Sequence, residues 1–184
     1  MPLTPYLVSA VSMRKAVKVF IVVIVLLVAS VFAIFFGLVS DRTGLWDYDQ
    51  AVAPWRDSFT SFFPKQIPFD ATQVRYFHRP AVMQGGESIQ LRMVLPEVSV
   101  RQIHTKALRD ALSRSNGRRP SDESEGLMPR TVRAAKGSAL DPVADYQVFV
   151  LSTTRSEENW NHGVESGVAV SLKYNEVVYW LENW

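Results

Sequence analysis

From Val19 to Val39 the chain runs 21 residues without a charge, and 17 of them are Val, Ile, Leu or Phe. At a rise of about 1.5 Å per residue, a helix of that length spans roughly 31 Å, the thickness of a bilayer core. Each large apolar side chain near the centre contributes about −0.3 to −0.6 kcal/mol to insertion, so the run favours spanning. A buried globular helix would keep a polar stripe for solvent. Here only Ala29, Ser30, Ala33 and Gly37 interrupt the large side chains.

A cleavable signal peptide shares the basic flank and the apolar run, but its apolar region is only about 7 to 15 residues long. The small-x-small patterns on offer, Val31-Phe32-Ala33 and Leu38-Val39-Ser40, lie inside the run or at its end. The expectation is an uncleaved transmembrane helix over 19–39, in contact with membrane lipid. Arg14, Lys15 and Lys18 precede it and Arg42 alone follows closely, which places the N-terminus in the cytoplasm by the positive-inside rule. Trp46 and Tyr48 then suit the far interface. Ala29, Ala33 and Gly37 recur every four residues, so one face of the helix is narrow enough for a second helix to approach. That is a candidate helix–helix contact, for self-association or for a subunit of a membrane complex.

The whole chain carries a formal charge of +2, but the excess sits in the tail. Residues 1–40 hold three cations and no acid, leaving 17 basic and 18 acidic residues beyond them. A near-neutral domain argues against nucleic acid as a partner. Cysteine is absent, which removes disulfides, thiol nucleophiles and cysteine-ligated metal sites. No Asn-x-Ser/Thr acceptor occurs either, and the two absences together favour a bacterial envelope protein.

Beyond the span, the expected organisation is a juxtamembrane amphipathic segment over 40–66 and an α+β domain over 67–184. The domain should hold about five strands with one or two helices packed on the sheet. Trp55, Phe59, Phe62 and Phe63 follow helical spacing between Asp47 and Phe63, predicting an amphipathic helix that either lies on the bilayer or caps the domain core, the second favoured because the stretch has few cations for lipid headgroups. Gln73–His78 and Ile89–Leu95 alternate as strands around Gln84-Gly85-Gly86-Glu87, predicting an antiparallel hairpin. Pro96 ends the second strand and opens a helix whose apolar face is Val100, Ile103, Ala107, Leu108 and Ala111. From Ser113 to Asp141 the pattern dissolves into Ser, Gly, Pro and charge, predicting a mobile loop over 113–141. Strands resume at 146–153, 167–174 and 176–181, with Asn175 in the last turn. Apolar residues on both faces of the last strand require cover on both sides of the sheet there.

The chemistry-bearing residues are few. Glu157, Glu158, His162 and Glu165 form the densest cluster, and a carboxylate with an imidazole can move a proton or hold a metal. Asn159, Asn161 and Gly163 read as a loop, and a metal wants three convergent ligands. A hydrolase or metal-dependent enzyme on the Glu157–Glu165 segment would need His78 or His104 brought close. Each of those histidines reads as an ordinary boundary residue. No nucleophile elbow or phosphate loop occurs, so no catalytic, cofactor or metal site is assigned. Trp160 and Trp184 are the candidate partner surface, since a Trp outside an alternating strand is less readily absorbed into a core. The reading is a membrane-anchored, non-enzymatic binding or interaction module on the non-cytoplasmic side.

Overall fold

The computed structural model describes residues 17–33, 40–81, 86–120, 126–132, 144–154 and 162–184. The chain divides into two compact units, Met1–Ser40 and Asp41–Trp184. In the first unit residues 17–33 form a helix, α1, whose large apolar side chains are exposed along its length. Among the described residues no helix is long and apolar enough to cross a membrane. The expected span of 19–39 continues into 34–39, which lie outside the described residues.

The second unit is mixed α+β. Its elements are helix α2 (Tyr48–Val52), strands β1 (Thr72–Arg79) and β2 (Glu87–Val94), helix α3 (Glu97–Asp110), and strands β3 (Ser113–Arg118), β4 (Arg130–Val132), β5 (Tyr146–Thr153), β6 (Val164–Ser171) and β7 (Glu176–Asn183). The strands make one sheet in the order β1-β2-β7-β6-β5-β3-β4, and every neighbouring pair is antiparallel. Six strands are substantial and β4 adds three residues at one edge.

Alternation decides which residues meet which layer. On one face Ile89, Leu91 and Met93 of β2, Val177, Tyr179 and Leu181 of β7, Val168 and Val170 of β6 and Phe149 of β5 pack with Val52, Phe63, Val100 and Ala107. The cover on this side is therefore α3 and the chain around α2. On the opposite face Phe77, Tyr146, Val148, Ala169, Val178 and Trp180 pack under Leu127. Gln90 pins that cover, because its side-chain oxygen accepts hydrogen bonds from the Leu127 and Met128 backbone amides. Gly126 beside it has φ of +81°, a conformation that side chains with a Cβ resist. The two-sided cover required by β7 is thus present, and β6 shares it, since Ala169 and Ser171 are as buried as Val168 and Val170.

Four expectations change. The Asp47–Phe63 helix is broken into a 3₁₀ turn Leu45–Asp47, the single turn α2, a second 3₁₀ turn Ala53–Trp55 and bends. Pro54 explains the break, because its ring displaces the carbonyl one turn back and it offers no amide. Burial consequently falls on Tyr48, Ala51, Val52 and Phe63, while Trp55, Phe59 and Phe62 only pack at the margin. Tyr48 in particular is core, its hydroxyl donating to the Pro64 carbonyl at 2.7 Å, so it does not sit at an interface with lipid. Trp46 stays 81% exposed.

The 113–141 stretch is not a plain loop. β3 and β4 occupy part of it, β3 pairing with β5 from Ser113↔Val150 to Gly117↔Tyr146. Its polar residues give no alternation to read, and β3 is held by backbone pairing with β5 on one side and β4 on the other. Residues 121–125 and 133–143 lie outside the described residues. Strand β6 begins at Val164 and ends at Ser171, three residues earlier at each end than expected, because Leu172–Asn175 form the turn and Asn175 takes φ of +51°. In α3, Val100 and Ala107 are buried and Ile103 and Ala111 pack against the core, whereas Leu108 is 44% exposed.

Candidate functional site

Two places in the Asp41–Trp184 unit concentrate chemistry. The first is His78, which is 6% exposed near the end of β1. Its Nδ1 lies 3.1 Å from Asp47 Oδ2, and its Nε2 lies 3.1 Å from Glu87 Oε1. The remaining carboxylate oxygens are also engaged: Arg42 Nη1 donates to Asp47 Oδ1 at 3.1 Å and Trp55 Nε1 donates to Glu87 Oε2 at 3.1 Å. Backbone bonds between Arg42 and His78 of 2.7 and 2.8 Å lay the chain before α2 along the edge of β1. The cluster therefore ties three separate segments together.

Burial pulls the His78 pKa down, but the hydrogen bonds and charges of Glu87 and Asp47 outweigh it and the net shift is upward. A cation between two carboxylates is the favoured state. Proton transfer would need a ring nitrogen within reach of a substrate. Both nitrogens are occupied by carboxylates. The adjacent Tyr76 hydroxyl is buried without a hydrogen-bond partner among the described residues, and its ring is T-shaped against Tyr48 with centroids 5.8 Å apart.

The second place is a groove of about 330 Å³ between α3 and the sheet, on the face away from Leu127. Phe62, Ile103, Ala107, Leu151, Val168 and Tyr179 line it, with Ser61, Lys106 and Asp110 as its polar groups. It forms where α3 packs against β6 and β5, with Tyr179 of the neighbouring β7 and Phe62 closing its sides. Tyr179 is only 8% exposed, and among the described residues its hydroxyl is not one of the buried polar atoms left without a partner. Burial pushes that phenol up to about 12, so it is a neutral hydroxyl at any ordinary pH.

At the rim stand two charged side chains. Asp110 is held by Arg109 Nε at 2.8 Å, a bond that keeps its carboxyl below the usual range. Lys106, one helical turn before it, draws the same carboxyl further down through its charge. An apolar hollow with a few convergent polar groups is the usual form of a small-molecule site.

A further polar cluster lies on the other face. Glu176, 2% exposed, receives Arg92 Nη2 at 2.7 Å, Arg119 Nη2 at 3.0 Å and the Tyr146 hydroxyl. Burial first, then the Glu176 carboxylate, raises the Tyr146 phenol well above its ordinary value. Every member of this cluster is satisfied by another, which makes it a structural lock.

The sequence-predicted residues fall as follows. Glu157, Glu158 and Trp160 lie outside the described residues, as does Gly37 of the small-residue face. Ala29 and Ala33 both lie in α1. His162 is exposed, and Glu165 stands opposite Glu182 across the β6–β7 pair. Burial and then the Glu165 charge push the Glu182 carboxyl above its usual range, against hydrogen bonds from Ser88 and Gln90. His104 turns to Gln147 Oε1 at 2.7 Å and packs edge-on against Phe149. Among the described residues, the side-chain bonds of His78 go to Asp47 and Glu87 and that of His104 to Gln147. Among the described residues no three His, Asp or Glu side chains are placed to hold a metal. Trp184 is half-buried, with its backbone paired to Gly163 at 2.9 and 3.1 Å, so it extends the β6–β7 ladder.

His78 reads in the sequence as a boundary residue, but it is buried and doubly bonded. One of its partners was readable: His78 pairs with Ile89, which places Glu87 on the same face at the diagonal position. Asp47, 31 residues away, left no such signal. The groove was not legible at all, since Lys106 and Tyr179 come to line one hollow only through the packing of α3 on the sheet. No protein family, curated protein or solved structure matches this chain.

Proposed function

We propose that this chain is a membrane-held, non-enzymatic binding protein. Residues 19–39 cross the bilayer with the basic tail 1–18 in the cytoplasm, and the α+β domain works on the other side. The anchor is supported by the uncharged run of 21 residues and by the cations that precede it. Ala29, Ala33 and Gly37 give that helix a face for self-association or for a partner subunit.

The observation that carries binding over catalysis is the contrast between the two places described above. The acid–base groups around His78 are consumed by one another, while the groove is an open hollow floored by Ile103, Ala107, Leu151 and Val168 with Ser61, Lys106, Asp110 and Tyr179 as its polar groups. An apolar floor with a few polar groups at its edge suits a small ligand with an apolar body.

The test is a titration of the full chain, methyl-labelled and held in zwitterionic lipid nanodiscs, with cyclohexanol as a neutral probe. The methyl signals of Ile103, Leu151 and Val168 should shift saturably, and Ala107→Phe, which fills the groove, should abolish the shift. Equal responses from both proteins, or no saturable shift, would contradict a binding groove.

A further inference from the structure

Asp41 and Arg42 fix where the chain enters the Asp41–Trp184 unit. Arg42 exchanges backbone bonds of 2.7 and 2.8 Å with His78, and its guanidinium donates to Asp47 at 3.1 Å. Asp41 accepts two bonds from Arg79, from Nε at 3.0 Å and from Nη2 at 3.1 Å. The first residues of the unit are thus held along the edge of β1. Only Ser40 separates them from the uncharged run that ends at Val39. Two residues of chain reach at most about 7 Å. With the run across the bilayer, as proposed above, Asp41 stands at the level of the headgroups, a layer that adds about 5 to 7 Å on each side of the hydrocarbon core.

The 3₁₀ turn Leu45–Asp47 follows at once, and its third residue is buried while the first two face outward. Leu45 is 44% exposed and Trp46 far more so. The indole of Trp46 lies back over Gly44, where a Cβ would fall on its Nε1 and Cδ1. Gly44 has φ of −81° and ψ of 125°, which any residue adopts, so the glycine makes room for the ring and is not needed to bend the chain. The ring is thereby given a set place on the surface without entering the core. The charges nearest in sequence are paired, Arg42 with Asp47 and Asp41 with Arg79, so the patch presents an amphipathic ring and a leucine without a net charge. Such a ring settles at the level of the headgroups, with its apolar body toward the acyl chains and its N–H toward polar groups.

We infer that Leu45 and Trp46 form a lipid-contacting patch, seated in the headgroup layer of the bilayer that residues 19–39 cross. The α+β domain then rests on the membrane through the turn before α2. This rests on the crossing by residues 19–39 and adds a second, peripheral contact to it. Tyr48, which the sequence places with Trp46, is core and takes no part. The paired charges make the contact indifferent to the charge of the headgroup.

The full chain, with its tryptophan indoles labelled with nitrogen-15, is placed in zwitterionic nanodiscs, and the Trp46 signal is identified by its loss in Trp46→Phe. Two paramagnetic agents then report on it, a phospholipid spin-labelled at the top of its acyl chain and a water-soluble gadolinium chelate. The lipid label should reduce the Trp46 signal to about half its height or less, while the chelate should leave it largely intact, since a ring among the headgroups faces lipid. Gly44→Ala, which crowds the ring, should shrink the lipid effect and open the signal to the chelate. Replacing part of the lipid with an anionic phospholipid should leave both readings unchanged. A Trp46 signal bleached by the chelate overturns the patch, whether or not the lipid label reaches it, and leaves the crossing intact. A severalfold gain on anionic lipid assigns the contact to basic side chains and overturns the ring as its basis. A chain that does not enter the discs at all overturns the crossing and the inference with it.

Discussion

His78 Nε2 and Glu87 Oε1 lie 3.1 Å apart across the mouth of the β1–β2 hairpin, while Nδ1 of the same ring reaches Asp47 beside α2. The imidazole is thus a clasp between the hairpin and the segment that covers one face of the sheet. It holds best when both nitrogens carry protons.

A pH dependence follows from the direction of the His78 shift. The folded pKa stands above the ordinary value of 6.5, so the folded state binds the proton more strongly than the unfolded chain. The stabilisation is fully present below about 6.5 and is lost as pH rises through the folded value. Urea unfolding of the full chain in nanodiscs should show a lower midpoint at pH 9 than at pH 6. In His78→Gln that difference should shrink. Wild-type midpoints that are flat across this range would remove the clasp.

Arg92 and Glu176 give a second prediction, because their ion pair is buried within the other face, with side chains 7% and 2% exposed. Arg92→Met leaves the Glu176 carboxylate with Arg119 and Tyr146 alone and should cost about 3 to 5 kcal/mol. The double variant Arg92→Met/Glu176→Leu should recover part of that loss, since no buried charge is then left short of a partner. Losses that simply add in denaturant melts would contradict the coupling.

The two clusters show what the sequence made legible. Alternation in Ile89-Gln90-Leu91-Arg92-Met93 identifies a strand and its core face, and hairpin register then brings His78 to Glu87. That alternation carries no sign that Gln90 and Arg92 are covered as well. Gln90 is buried where the Leu127 and Met128 amides return to it across 37 and 38 residues of sequence, and Arg92 is buried against Glu176, 84 residues away. Strand β3 was hidden for a related reason, as Ser113-Arg114-Ser115-Asn116-Gly117 has no apolar period and is held by pairing with β5. The α2 region failed locally: aromatic spacing suggested one helix, and Pro54 divides it.

The most direct test of a binding domain held across a membrane uses the absence of cysteine, since any engineered thiol is unique. Ser9→Cys and Thr72→Cys are compared in right-side-out spheroplasts with a membrane-impermeant maleimide, and the membranes are then washed at alkaline pH. The account predicts that Thr72→Cys labels in intact spheroplasts, that Ser9→Cys labels only after permeabilisation, and that both proteins stay in the washed membrane pellet. Release of the protein into the alkaline wash, or equal labelling of the two positions before permeabilisation, would contradict it.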